Sequence, residues 1–97
     1  MSAILDEPKV DLHAAVGTAV SFLKQAFAPA MELRNLQLEE IERTEDGGEW
    51  LVTLGYDDPA ATHPSPMEQF MRPRPLRKYK VVHVAAESGK AVAIKNR

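Results

Sequence analysis

A helix-type hydrophobic rhythm occurs once in this chain, near its start, and from there on apolar residues recur at every second position in short runs separated by turn residues. One amphipathic helix, two strand-like runs, a proline-studded stretch and a second strand pair follow one another in that order. The order is that of a small α+β domain in which the helix packs on one face of a mainly antiparallel sheet of about four strands in two hairpins. Leu12, Ala15, Val16, Ala19, Val20, Leu23, Ala26 and Phe27 share one helical face, with His13, Thr18, Ser21, Lys24 and Gln25 opposite. Asp11 is placed to accept hydrogen bonds from the first-turn NH groups, and Pro29 makes continuation beyond Phe27 or Ala28 costly. Gly17, which costs about 1 kcal/mol relative to alanine in a helix interior, marks either a close approach of a neighbouring backbone or a tolerated exposed position.

Leu36 and Leu38 alternate with polar residues and Ile41 then falls out of phase, which predicts a strand from Leu36 to Thr44 with a bulge near Glu39 and Glu40, a short helical continuation being the competing reading. Asp46-Gly47 supplies the positive φ of a hairpin turn. The next strand, Glu49 to Tyr56, sets Trp50, Val52, Leu54 and Tyr56 on the face expected to meet the helix. Residues Asp57 to Leu76 form an insertion that carries five of the chain's seven prolines and is too long for an ordinary turn. Within it, Ser65-Pro66-Met67-Glu68 has the arrangement of a helix start, and Met67, Phe70 and Met71 share one face of the turn or two that would follow. Strand character resumes from Lys78 to Ala86, turns at Glu87-Ser88-Gly89-Lys90 with Gly89 left-handed, and ends with Ala91 to Lys95.

The chain has 97 residues, which suits a single domain, 1–97, with one core. It has no cysteine, so disulfides and thiolate chemistry are excluded, and a reducing, cytoplasmic setting fits. The acidic start, with Asp6 and Glu7, argues against a secretory leader and no apolar run is long enough to span a bilayer, which predicts a soluble protein. The net charge of −2 conceals a division. Residues 1–49 hold ten acids and four bases, net −6, whereas residues 50–97 hold four acids and eight bases, net +4. Opposite charges facing across strands can hold the two halves together.

The residues Ile41-Glu42-Arg43-Thr44-Glu45-Asp46-Gly47, then Trp50 and Val52, Tyr79 and Val81, and Ser88-Gly89-Lys90 with Val92, resemble the layout of small PepSY-type domains and, more closely, the gas vesicle accessory protein O family. The resemblance covers about two-thirds of the chain. It implies a cystatin-like or PepSY-like fold. Two departures stand out: that family continues into a basic, aromatic tail where this chain has Lys95-Asn96-Arg97, and the central insertion differs.

No complete catalytic or cofactor motif is present. His13, His63 and His83 lack the spacing of metal ligands. Asp57 and Asp58 with His63 could supply acid–base chemistry, though Asp-Asp-Pro is also ordinary turn chemistry. Gly47-Gly48 sits among acids that would repel a phosphate. Arg72, Arg74, Arg77, Lys78 and Lys80 beside Phe70 and Tyr79 could grip a nucleic acid, or could pair with Glu39, Glu40, Glu42 and Glu45. The reading these features favour is a non-enzymatic, bacterial-type cytoplasmic accessory protein without cofactor. It would hold a protein partner through an exposed sheet edge and the insertion, with Met67, Phe70, Met71, Arg72, Arg74 and Arg77 as contacts. The alternatives are a nucleic-acid module using residues 72–80 and a ligand or catalytic pocket between helix and sheet.

Overall fold

A computed structural model describes residues 9–27, 32–58, 67 and 76–97. It contains one helix, α1 (Leu12–Phe27), and four strands, β1 (Gln37–Arg43), β2 (Glu49–Asp57), β3 (Arg77–Ala85) and β4 (Ala91–Asn96). The strands form one open sheet in the order β1-β2-β3-β4, each antiparallel to the next. The α+β expectation of a helix on an antiparallel sheet therefore holds. The insertion does not part the two hairpins, because β2 and β3 pair along their full length from Glu49↔Ala85 to Asp57↔Arg77. Among the described residues no helix is long and apolar enough to cross a membrane.

The helix starts where its capping chemistry is. The Asp11 carboxylate accepts from the Ala14 amide at 2.8 Å, one of the first-turn donors that has no partner inside the helix. Ala15, Ala19 and Leu23 are buried against Val52, Leu54, Tyr56, Val82 and Val84. Two alanines on the buried face let the helix backbone approach the sheet, and each fully buried valine or leucine contributes about 1.5–3 kcal/mol. Phe27 meets Tyr56 with ring centroids 6.1 Å apart. Burial also pushes the Tyr56 phenol above its ordinary pKa, with the nearby Asp58 charge adding to the effect.

The buried face of the helix differs from expectation at three residues. Leu12 and Ala26 are exposed, whereas Phe22, which the helical stripe omits, packs against the core. Gly17 has nothing within 4 Å of the position a Cβ would take, so of its two readings the tolerated exposed position holds and the close approach does not.

The bulge in β1 lies where the phase slips, with Leu38 opposite Leu54 and Glu40 opposite Thr53, leaving Glu39 as the extra residue. At the first turn Gly47 alone takes the left-handed conformation, at φ 74°, and the loop is knitted by Thr44 and Asp46. The Asp46 carboxylate accepts from the Thr44 hydroxyl at 2.6 Å and the Gly48 amide at 2.8 Å, which hold it below the usual carboxylate range. Gly89 is left-handed as expected, at φ 75°. Both hairpin turns and the start of the helix meet at one end of the sheet. There the Val10 amide donates to the Ala86 carbonyl at 3.1 Å, and the Trp50 indole donates to the Val10 carbonyl at 2.9 Å. Trp50 sits half-buried at the rim of the core under this strap, with the Arg43 guanidinium 5.8 Å from its ring centroid.

Candidate functional site

At the opposite end of the sheet, where β2 gives way to the insertion and β3 begins, the Asp58 amide donates to the Leu76 carbonyl at 2.8 Å. Arg77 is the first residue of β3 and its side chain is mostly buried. Its Nη1 donates to the Asp57 carboxylate at 3.0 Å and the Asn35 carbonyl at 2.7 Å, and its Nη2 lies 3.4 Å from Glu39. Asn35 completes the cluster by donating from Nδ2 to the other Asp57 oxygen at 2.6 Å. This tie explains why Asn35, with φ 53°, is the one non-glycine among the described residues in the left-handed region. The hydrogen bonds from Arg77 and Asn35 hold the Asp57 carboxyl below its ordinary pKa. Desolvation works against the Arg77 charge, but the bonds to Asp57 and Glu39 outweigh it and hold the guanidinium above its ordinary range.

A carboxylate saturated in this way is a poor proton carrier at neutral pH, so Asp57 serves as a brace between β1, β2 and β3. His63 lies outside the described residues, His13 is exposed on the helix, and His83 Nδ1 lies 3.0 Å from Glu49 Oε1. Among the described residues no group of three potential ligands could hold a metal ion. The Gly47 and Gly48 amides are taken by the Thr44 carbonyl and the Asp46 carboxylate, so neither is left to meet an anion.

The described members of the basic run, Arg77, Lys78 and Lys80, do not share one face of the sheet. Strand alternation divides them: Arg77 and Tyr79 occupy the sheet face away from the helix, while Lys78 and Lys80 fall in register with Tyr56 and Leu54 of the helix-covered face. Tyr79 is opposite Gly55, and a Cβ on Gly55 would come within 3.0 Å of the Tyr79 ring and within 2.9 Å of Glu39 Oε1. The missing side chain lets the tyrosine lie down over β2. Arg97 then stacks over that ring, its Cζ 5.5 Å from the centroid, and reaches Glu40 of β1 at 4.0 Å. The acidic first half and basic second half of the chain thus meet across the sheet at Glu39–Arg77 and Glu40–Arg97.

Of the expected contact residues, Phe70, Met71, Arg72 and Arg74 lie outside the described residues. Met67 is 72% exposed, and Arg77 is engaged in the brace. The sheet edges differ. β1 presents Glu39, Glu40 and Glu42, all exposed, beside its bulge. β4 is uncharged from Ala91 to Ile94, and Val92 is 54% exposed. Val92 stands out because the β3–β4 register shifts between Val84↔Ala91 and His83↔Ala93, making it the extra residue of a second bulge. β4 finishes at the end of the sheet where the insertion begins and ends, since Asn96 is opposite Lys80 and the next residues along β3 lead back to Leu76. A reading from sequence had no means to separate the two edges, because strand order decides which strands are edges.

No protein-family model, no curated protein and no solved structure matches the chain.

Proposed function

We propose that this chain is a non-enzymatic accessory protein, of bacterial cytoplasmic type, that holds a protein partner along the β4 edge and the adjoining insertion. The observation that carries the reading is the β4 edge itself: a strand at the border of the sheet that is apolar and uncharged from Ala91 to Ile94, with Val92 more than half exposed. Open edges invite pairing with another chain, and a large apolar side chain on one favours a partner over water. Met67, within the insertion that departs from the end of the sheet where β4 finishes, is exposed as well.

Asp57 and His83, the described residues nearest to an acid–base role, are engaged with Arg77 and Glu49, which argues against an acid–base site at either. The division of Arg77 from Lys78 and Lys80 between two sheet faces weakens the nucleic-acid alternative, because phosphate tracking needs the charges on one side. Photo-crosslinking residues placed at Val92, at Met67 and, as a control, at Ser21 on the outer side of the helix test the proposal in the native cell. A single protein adduct at the first two positions and none at Ser21 is the expected result. Adducts at Ser21 alone, or nucleic acid in place of protein, would overturn it.

A further inference from the structure

We propose, building on that reading, that β4 binds an extended acidic segment of the partner as a fifth strand of the sheet. Of the two edges, β1 is the unsuitable one. Both edges carry a register break, at Glu39 and at Val92, but β1 adds three exposed glutamates, a concentration of edge charge that discourages pairing, where β4 has Lys95 alone. β4 carries the opposite charge: from Lys90 to Arg97 there is no acidic residue, and Lys90, Lys95 and Arg97 are all exposed. Lys95 guards the edge by sign, repelling a second β4 while favouring an acidic strand.

The register specifies the chemistry of the incoming strand. Lys95 lies opposite Val81, in line with Thr53 and Glu40 on the sheet face away from the helix, so this row runs from a base on β4 to an acid on β1. A fifth strand beside β4 would place an acidic residue next to Lys95 on that face. On the other face, Ile94 is opposite Val82 and packs against the core, so the neighbouring residue of the added strand would be apolar. The regular ladder of β4 runs from Ala93 to Asn96, and the exposed Val92 at its start offers an apolar anchor beyond it. Main-chain hydrogen bonds would then supply affinity, and the alternation of acid and apolar residues would supply selectivity. Within the chain the same attraction is visible where Arg97 reaches across the sheet to Glu40.

The test uses the full 97-residue chain and two short capped peptides, one alternating valine with glutamate and one alternating valine with lysine. Amide resonances would be followed by NMR and affinities by calorimetry. The expected result is that amides of residues 91–96 shift, that the glutamate peptide binds at least tenfold more tightly than the lysine peptide, and that Lys95→Glu reverses the preference. Lys95 is exposed, so this substitution leaves the core untouched. Shifts confined to β1 or α1, equal binding of the two peptides, or indifference to Lys95→Glu would overturn the proposal. Sedimentation equilibrium separates a further outcome: self-association abolished by Lys95→Glu, with no peptide response, would show that the edge takes the acidic β1 of a second copy, and the proposal fails. The two readings fail separately. Cross-links at Val92 that persist in Lys95→Glu would leave a protein partner in place and refute its addition as an acidic strand, whereas absence of any protein adduct refutes the partner itself.

Discussion

Trp50 and the glycines show how much one side chain decides here. Trp50 is held twice, by packing against the core rim and by the indole bond to the Val10 carbonyl. Trp50→Phe keeps the packing and gives up the bond, an expected loss of about 1 kcal/mol, while Trp50→Ala gives up both and is expected to cost about 3 kcal/mol. Urea unfolding of the two variants measures the difference; equal losses would mean the ring contributes nothing to the core. Gly17 and Gly89 should respond to alanine in opposite directions. At Gly17 there is open space and ordinary helical backbone, so Gly17→Ala is expected to stabilise by about 0.5–1 kcal/mol. At Gly89 the backbone has φ +75° and a Cβ would lie 2.8 Å from Val10 Cγ2. Gly89→Ala is therefore expected to destabilise by about 1–2 kcal/mol, and thermal melts of both variants would check the pair.

Between elements, the Arg77 brace joins the approach to β1, the end of β2 and the start of β3 in a single cluster of charges. Because the folded state holds the Asp57 pKa below its unfolded value, the brace contributes stability that is fully present above the unfolded pKa of about 4. That contribution is lost as pH falls through the folded pKa. The expected outcome is an acid limb in the unfolding midpoint that begins near pH 4 and is flattened in Asp57→Asn, measured by denaturant titration across that range. An unchanged acid limb would assign it to other carboxylates. Charge complementarity between the halves of the chain was visible in composition; that Glu39 and Glu40 meet Arg77 and Arg97 in particular follows from the bulge and the register, which bring distant residues together.

Over the whole molecule, stability is expected to be graded from centre to border. β2 and β3 are paired on both sides and covered by α1, whereas β1 and β4 each have one strand neighbour. Hydrogen exchange should accordingly be slowest at Val52, Leu54, Val82 and Val84 and faster along β1 and β4; protection of β4 equal to that of β2 would mean its border is already covered. The local features were legible in the amino-acid sequence because they are written at short range. The span of the helix follows from its apolar period and Asp11, the bulge at Glu39 from the slip in alternation, and the turns from Gly47 and Gly89. The tertiary structure alone decided which strands are edges, that Phe22 packs inward while Leu12 stays exposed, that Val10 straps the far end, and that Asp57 is a brace where a proton carrier was conceivable. Those outcomes depend on which residues from distant parts of the chain become neighbours. Periodicity encodes the face a residue occupies, but which side chains meet it there is set only when the strands take their order and register.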